Sequence, residues 1–371
     1  MKTRLMSLAL LATSVAVSFA VTAAASPPQA WTGAKPMFVT LPNNFPGHVA
    51  PIHPPANVTQ WNGSFTDLTG HHITYTMIGT NPATNNAPST IPVVLIPIRM
   101  VYGANNGNMT FDPNTKTVSN GQTVTNNTLN SPLFKTGVDF VQGGTDLGNT
   151  QYVDAYQRGN FWGANVQVNT NYHVLLGSPT VLAEQQINVS RSQGKVITNP
   201  FGTSKVGEMT INAFDAKLQT IIANNSGTIN PGVLPIFLTD NIFLTQGGCC
   251  IGGYHSANGS QPAGQTYAYA TYVTDVGSFS QDVSALSHEI GEWMDDPFVD
   301  NSVNCTDNNI MENGDPLEGR ANYGGYPYSL NNFTYNLQSL VFIGYFGAPR
   351  STSVHSWLSF QNDEANVCPG Q

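Results

Sequence analysis

The stretch "SALSHEIGEWMDDPF", residues 284–298, decides how the rest of this chain is read. It contains His-Glu-x-x-Glu, one letter away from the His-Glu-x-x-His pattern by which a helix presents two metal ligands one turn apart. Asp282 is a candidate N-cap. Asp295–Pro297 supplies the stop, because the residue before a proline is pushed out of helical geometry. Val283, Leu286, Ile290 and Trp293 recur at three- and four-residue steps and define one apolar stripe. At about 100° per residue, His288 and Glu292 fall opposite that stripe, with Asp295 close to the same line and Glu289 at the flank. The spacing therefore predicts a helix with one buried face and a His288–Glu292 ligand pair on the other.

A surface helix also carries polar residues opposite an apolar stripe, so composition has to arbitrate. The chain has 371 residues, of which only 9% are charged, with 8 histidines. Four of its few glutamates, Glu289, Glu292, Glu312 and Glu318, follow within thirty or so residues of His288. Between Gln281 and Gly319 there is no basic residue except His288, whereas a solvated face would more often mix in Lys and Arg. A cluster of hard carboxylates with an imidazole is metal-ligand chemistry.

Lys2 and Arg4, the apolar run "LMSLALLATSVAVSFAV" and small residues at Ala23 and Ala25 predict a signal peptide over 1–25 and a secreted protein. No other segment predicts a membrane span. The formal net charge is −9, and the basic footprint needed for nucleic-acid binding is absent. Cys249, Cys250, Cys305 and Cys368 predict two disulfides. Neighbouring cysteines rarely bridge, so Cys249 and Cys250 are expected to bond Cys305 and Cys368 in either order. That would hold the "GGYH" loop, with Tyr254 and His255, beside the helix.

Residues 26–85 form a Pro/Asn-rich N-terminal region, and 86–371 a single domain with its metal site between 255 and 318. "TIPVVLIPIRMVYG" (90–103) predicts a buried strand in which Pro97 hints at an edge or a bulge. Asn106–Gly107 and Asn120–Gly121 suit hairpins. Segments 154–162 and 209–225 predict helices, the latter through Ile211, Phe214, Leu218 and Ile221, while 167–176, 233–244 and 266–274 predict strands. The sum is an α+β fold, a mostly β body with a few helices.

Downstream, "NCTDNNIMENGDPLEG" (304–319) makes the chain resemble the gluzincin (thermolysin-like) metallopeptidases. In that family a glutamate about two dozen residues after the first histidine is the third ligand, with an aspartate shortly beyond it; Glu312 and Asp315 match. Glu292 stands where that family has a second histidine, and an Asn/Asp-rich loop stands where it has a helix. A looser resemblance links the order "GGYH", "SHEIGEWMDDP", "ENGD" to bacterial relatives of the phosphate-induced (EXORDIUM-like) family, which implies export and fold more than a reaction.

The gluzincin resemblance implies a zinc-dependent peptidase acting on protein or peptide substrates. His288, Glu292 and Glu312 would hold the metal, Glu289 would be the general base, and Asp315 would orient His288 or ligate. Tyr254 or His255 would stabilise the oxyanion. So oxygen-rich a set also suits Ca2+ or Mn2+. The alternatives are a non-enzymatic exported protein with a structural metal site or acidic patch, binding cell-surface polymers such as polysaccharide, and a glycoside hydrolase. The last leaves His288 without a role.

Overall fold

The run at 90–103 forms the strand Val93–Tyr102, which lies inside a seven-stranded mixed sheet of a computed structural model. The structure describes residues 37–51, 57–304, 309–318 and 325–363; the expected leader, Cys305 and Cys368 lie outside the described residues. Gln185–Val189 and Leu234–Asp240 pair with Val93–Tyr102 in parallel, and Gln265–Tyr272 continues in parallel beyond Leu234–Asp240. Gly253–Asn258 then pairs antiparallel with Gln265–Tyr272 and ends the sheet path. The whole is α+β, mostly strand with few helices.

Both faces of this sheet are covered, which explains why its strands are apolar almost throughout rather than alternating with polar residues. Val93 and Leu95 join the core that contains the motif helix. Val94, Ile96, Ile98 and Met100 join a second core built around the helix Ile211–Asn224, with Phe214 and Leu218. Pro97 marks no edge, but it does mark an irregularity: the flanking ladder breaks opposite it, with one extra residue between the Leu95–Val181 and Ile98–Gln185 pairings. The Ile91 and Leu95 carbonyls accept from Gly177 and Leu182 on one flank, and Pro97 has their parity. Its missing N–H falls between Thr180–Val181 and Gln185–Val189, the two short strands that pair there, so no ladder bond is lost.

The motif helix is Ser284–Asp295, followed by Pro297 as expected. It packs on the sheet face lined by Ala268 and Ala270, whose small side chains let it approach closely. The N-cap is Val283 rather than Asp282. Asp282 instead accepts from the Val283 N–H and from both the backbone and side chain of Asn336, tying the helix start to the hairpin strand Phe333–Gln338. All twelve helix residues are buried, including the polar ones, because further elements cover the face opposite the sheet. The helix Tyr152–Asn160 approaches from that side, where Tyr156, Gln157 and Asn160 all donate to the Asp295 carboxylate.

The hairpin Gln60–Thr66/His72–Ile78 packs into the same core through Met77 and Ile78. Asn301, just past the motif helix, grips its Thr76 backbone at both N–H and carbonyl, each at 2.8 Å. One expectation about the covalent frame is overturned: Cys249 and Cys250 are bonded to each other, so neither pairs with Cys305 or Cys368. The "GGYH" segment reaches the motif helix through sheet pairing instead.

Candidate metal centre

Strand alternation settles which residue of Tyr254 and His255 reaches the helix. Successive side chains leave a strand on opposite faces. Tyr254 points into the second core and donates to Asp215 at 2.9 Å, far from the role expected of it. His255 points the other way, onto the motif helix. Its Nδ1 lies 3.5 Å from Glu289 Oε2, 3.6 Å from Glu292 Oε2 and 3.8 Å from Glu312 Oε2. His288 gathers a second group: its Nε2 lies 2.9 Å from Glu292 Oε1 and 3.5 Å from Asp315 Oδ1. The expected trio of His288, Glu292 and Glu312 is thus reshuffled, with His255 taking the place of His288 beside Glu312.

Each imidazole is oriented from behind. His255 Nε2 donates to the Asp296 carbonyl at 3.1 Å, which leaves Nδ1 facing the three carboxylates. His288 Nδ1 donates to Gln338 Oε1 at 2.8 Å, and the Gln338 amide nitrogen in turn donates to the Gly314 carbonyl at 3.3 Å. That second bond fixes which way the Gln338 amide faces and so which His288 nitrogen is left free. A backbone or side-chain acceptor behind a histidine is how metal-ligating imidazoles are commonly held. Gln338, rather than Asp315, is the group that orients His288.

Two glycines admit these side chains. A Cβ on Gly253 would sit 2.5 Å from Glu289 Oε1, and one on Gly314 would sit 2.3 Å from His288 Nδ1. Phe38 closes the assembly: its ring lies 4.1 Å from that of His288, and its N–H bonds to Glu318.

Among the described residues, the polar atoms facing inward have no hydrogen-bond partners. His255 Nδ1, His288 Nε2, both oxygens of Glu289 and both of Glu312 are buried and unpaired. Orphaned buried polar atoms each cost about 1–3 kcal/mol, more when charged. Fully burying Leu286 or Ile290 returns about 1.5–3 kcal/mol apiece, so the six orphaned atoms consume about as much as the four-residue stripe supplies.

Among the described residues, the ion-pair partners of these carboxylates are the two imidazoles. Burial pushes Glu289 up to about 8 against the pull of His255 and His288. Burial also drives Glu312 far above the carboxylate range, with Glu292 and Asp296 repelling its charge. For Glu292 burial is overridden by the nearby charges of His288 and His255, which hold it well below its ordinary value. Burial would depress His255, yet Glu289 and Glu292 bring it up to about 10. Two imidazolium protons cannot neutralise four carboxylates, so the cluster retains protons on acids that would ordinarily be ionised, unless a cation replaces them.

The spacing suits a cation. Two ligand atoms about 2.1 Å from one tetrahedral ion stand about 3.4 Å apart, close to the separations around His255 Nδ1. The buried group His255, Glu289 and Glu292 can hold a metal ion. No family model, curated protein or solved structure matches this chain, so the chemistry of the site stands on its own residues.

Proposed function

We propose that the protein is an exported, zincin-like metal-dependent hydrolase that cleaves amide bonds in protein or peptide substrates. The observation that carries this reading is the convergence of buried, unpartnered ligand atoms on His255, Glu289 and Glu312 around Glu292. His255 Nδ1, Glu292 Oε2 and Glu312 would be the ligands of a Zn2+ ion, with Mn2+ the next choice for so oxygen-rich a set. A bound divalent ion supplies an acidified water and polarises the scissile carbonyl.

Glu289 is the general base. Both its oxygens are buried, unpaired and turned to the cluster, the placement a base beside a bound water requires. It removes the proton from the attacking water as the C–O bond forms, then delivers it to the leaving nitrogen as the C–N bond breaks. Tyr254 has no part in this, and His255 serves as ligand rather than oxyanion donor.

One observation favours a second reading, a structural metal centre in a non-enzymatic secreted protein. Glu289 stands as close to His255 Nδ1 as the other carboxylates do, and as a fourth ligand it would close the site. Glu289→Gln separates the two. Under the hydrolase reading the purified variant keeps its metal and loses turnover of a peptide library. Loss of metal from Glu289→Gln, with no turnover by the metal-loaded wild type, would establish the structural role.

A further inference from the structure

We propose that the centre holds two divalent cations bridged by the Glu292 carboxylate. This rests on the metal-binding reading of the His255 cluster and extends it. The two oxygens of Glu292 face different imidazoles. Oε2 belongs with His255, Glu289 and Glu312, while Oε1 belongs with His288 Nε2 and Asp315 Oδ1. The second trio, His288, Glu292 and Asp315, is itself a set of ligand atoms close enough to share one ion.

An independent observation points to a ligand at this second position. His288 is fully buried and its Nε2 has no hydrogen-bond partner, although Glu292 Oε1 is only 2.9 Å away, because the ring is not aimed for a bond to that oxygen. Oε1 already accepts from the Gly314 and Asp315 N–H groups at 3.1 and 3.3 Å. Those bonds hold the Glu292 carboxylate in place while His288 Nε2 stays buried and unpaired. The separations of 2.9 Å and 3.5 Å bracket those between neighbouring ligands about 2.1 Å from one ion, at right angles or at tetrahedral angles.

Charge points the same way: Glu289, Glu292, Glu312 and Asp315 bring four negative charges, with the Asp296 and Glu318 carboxyls close by, more than one divalent ion cancels. A single ion leaves an excess that a buried site cannot tolerate without retaining protons. The two positions also differ in access. The Asp315 side chain is 31% exposed, against at most 2% for the groups around His255. The Asp315 end of the cluster is thus the more accessible of the two, and the His255 end the more buried.

The test is metal stoichiometry on the full chain, stripped with a chelator and retitrated with Zn2+, then with Mn2+ followed by electron paramagnetic resonance. Two equivalents per chain are expected, with a spin-coupled Mn2+ pair from the shared carboxylate. Asp315→Asn should bind one equivalent and show an isolated Mn2+ signal. One equivalent in the wild type, unchanged by Asp315→Asn, overturns the bridged pair while leaving a single metal site intact. No binding at all overturns the metal reading itself. The wild-type titration and spectrum decide the matter even where the variant does not fold.

Discussion

Glu292 stands between two histidines that arrive from different elements. Its Oε1 lies 2.9 Å from His288 Nε2 one turn back on its own helix, and its Oε2 lies 3.6 Å from His255 Nδ1 on the neighbouring strand. The residue that departs from the zinc-helix pattern is therefore the hub of the cluster. A histidine at this position would present one ligand atom inward, whereas a carboxylate presents two.

Glu292→Gln keeps the shape and removes the charge. Breaking one partner out of a buried ion-paired group costs about 3–5 kcal/mol. Chemical denaturation in chelator should show a loss of that order, and metal retention should fall to background. A variant as stable and as metal-rich as the wild type would show that Glu292 is peripheral.

The pH dependence of stability follows from the raised carboxyls. Asp282 lies at about 7 in the fold, raised from 3.8 by burial, and Glu289 at about 8, raised from 4.5 by burial. A group whose folded value exceeds its unfolded one stabilises fully below the unfolded value, and that contribution is lost as pH rises through the folded one. His255, raised to about 10, acts in the same sense between 6.5 and 10. Glu292, held low, acts oppositely, but only below its ordinary value of 4.5. Metal-free protein should therefore lose thermal stability from pH 5 to pH 8. Protons compete with metal for the same atoms, so the gain in Tm on adding Zn2+ should grow across that window. A metal increment that shrinks with rising pH would contradict this.

Gly253 faces Glu289 across the strand–helix contact with no room for a methyl group. Gly253→Ala must displace the Glu289 side chain or the edge strand, an overpacking cost of about 1–3 kcal/mol. The signature is selective: turnover should drop far more than the Tm, because displacing the base by about 1 Å can cost on the order of 100-fold in rate. Equal turnover in the alanine variant would remove Glu289 from the catalytic step.

The sequence carried the helix and its two faces because a 3.6-residue period is local, and it carried the central strands because buried runs of β-branched residues are local too. Tyr254 drops out only because "GGYH", expected as a loop, is a strand: neighbours on one strand cannot both face the same helix. Other features depend on partners distant in the chain. That His255 meets Glu289 follows from the register pairing His255 with Ala268, beneath the motif helix. The burial of the polar face follows from Tyr156, Gln157 and Asn313 converging on Asp295 from separate segments. The cysteine pairing went against a general preference that this chain does not obey. Gly253 and Gly314 sat in view within "GGYH" and "ENGD", but a glycine in a loop has no meaning until the side chain that needs the space is known.

Gln338 had no motif to announce it, being fifty residues beyond His288 in an unremarkable strand. Its backbone N–H is held by the Ser287 hydroxyl at 2.9 Å, and its carbonyl accepts from Tyr152, so its side chain is anchored at the root as well as at the tip. Gln338→Leu removes the acceptor behind His288 while keeping most of the volume. The imidazole can then rotate or change tautomer, and loss of such an orienting partner typically costs 10–100-fold in metal affinity. Competition with a chromophoric chelator should show a loss in that range. Gln338→Glu should lose less, since a carboxylate accepts the same N–H, although it forfeits the donation to the Gly314 carbonyl. Were both variants to lose metal equally, Gln338 would be acting through packing alone, and the orientation of His288 would have to come from elsewhere.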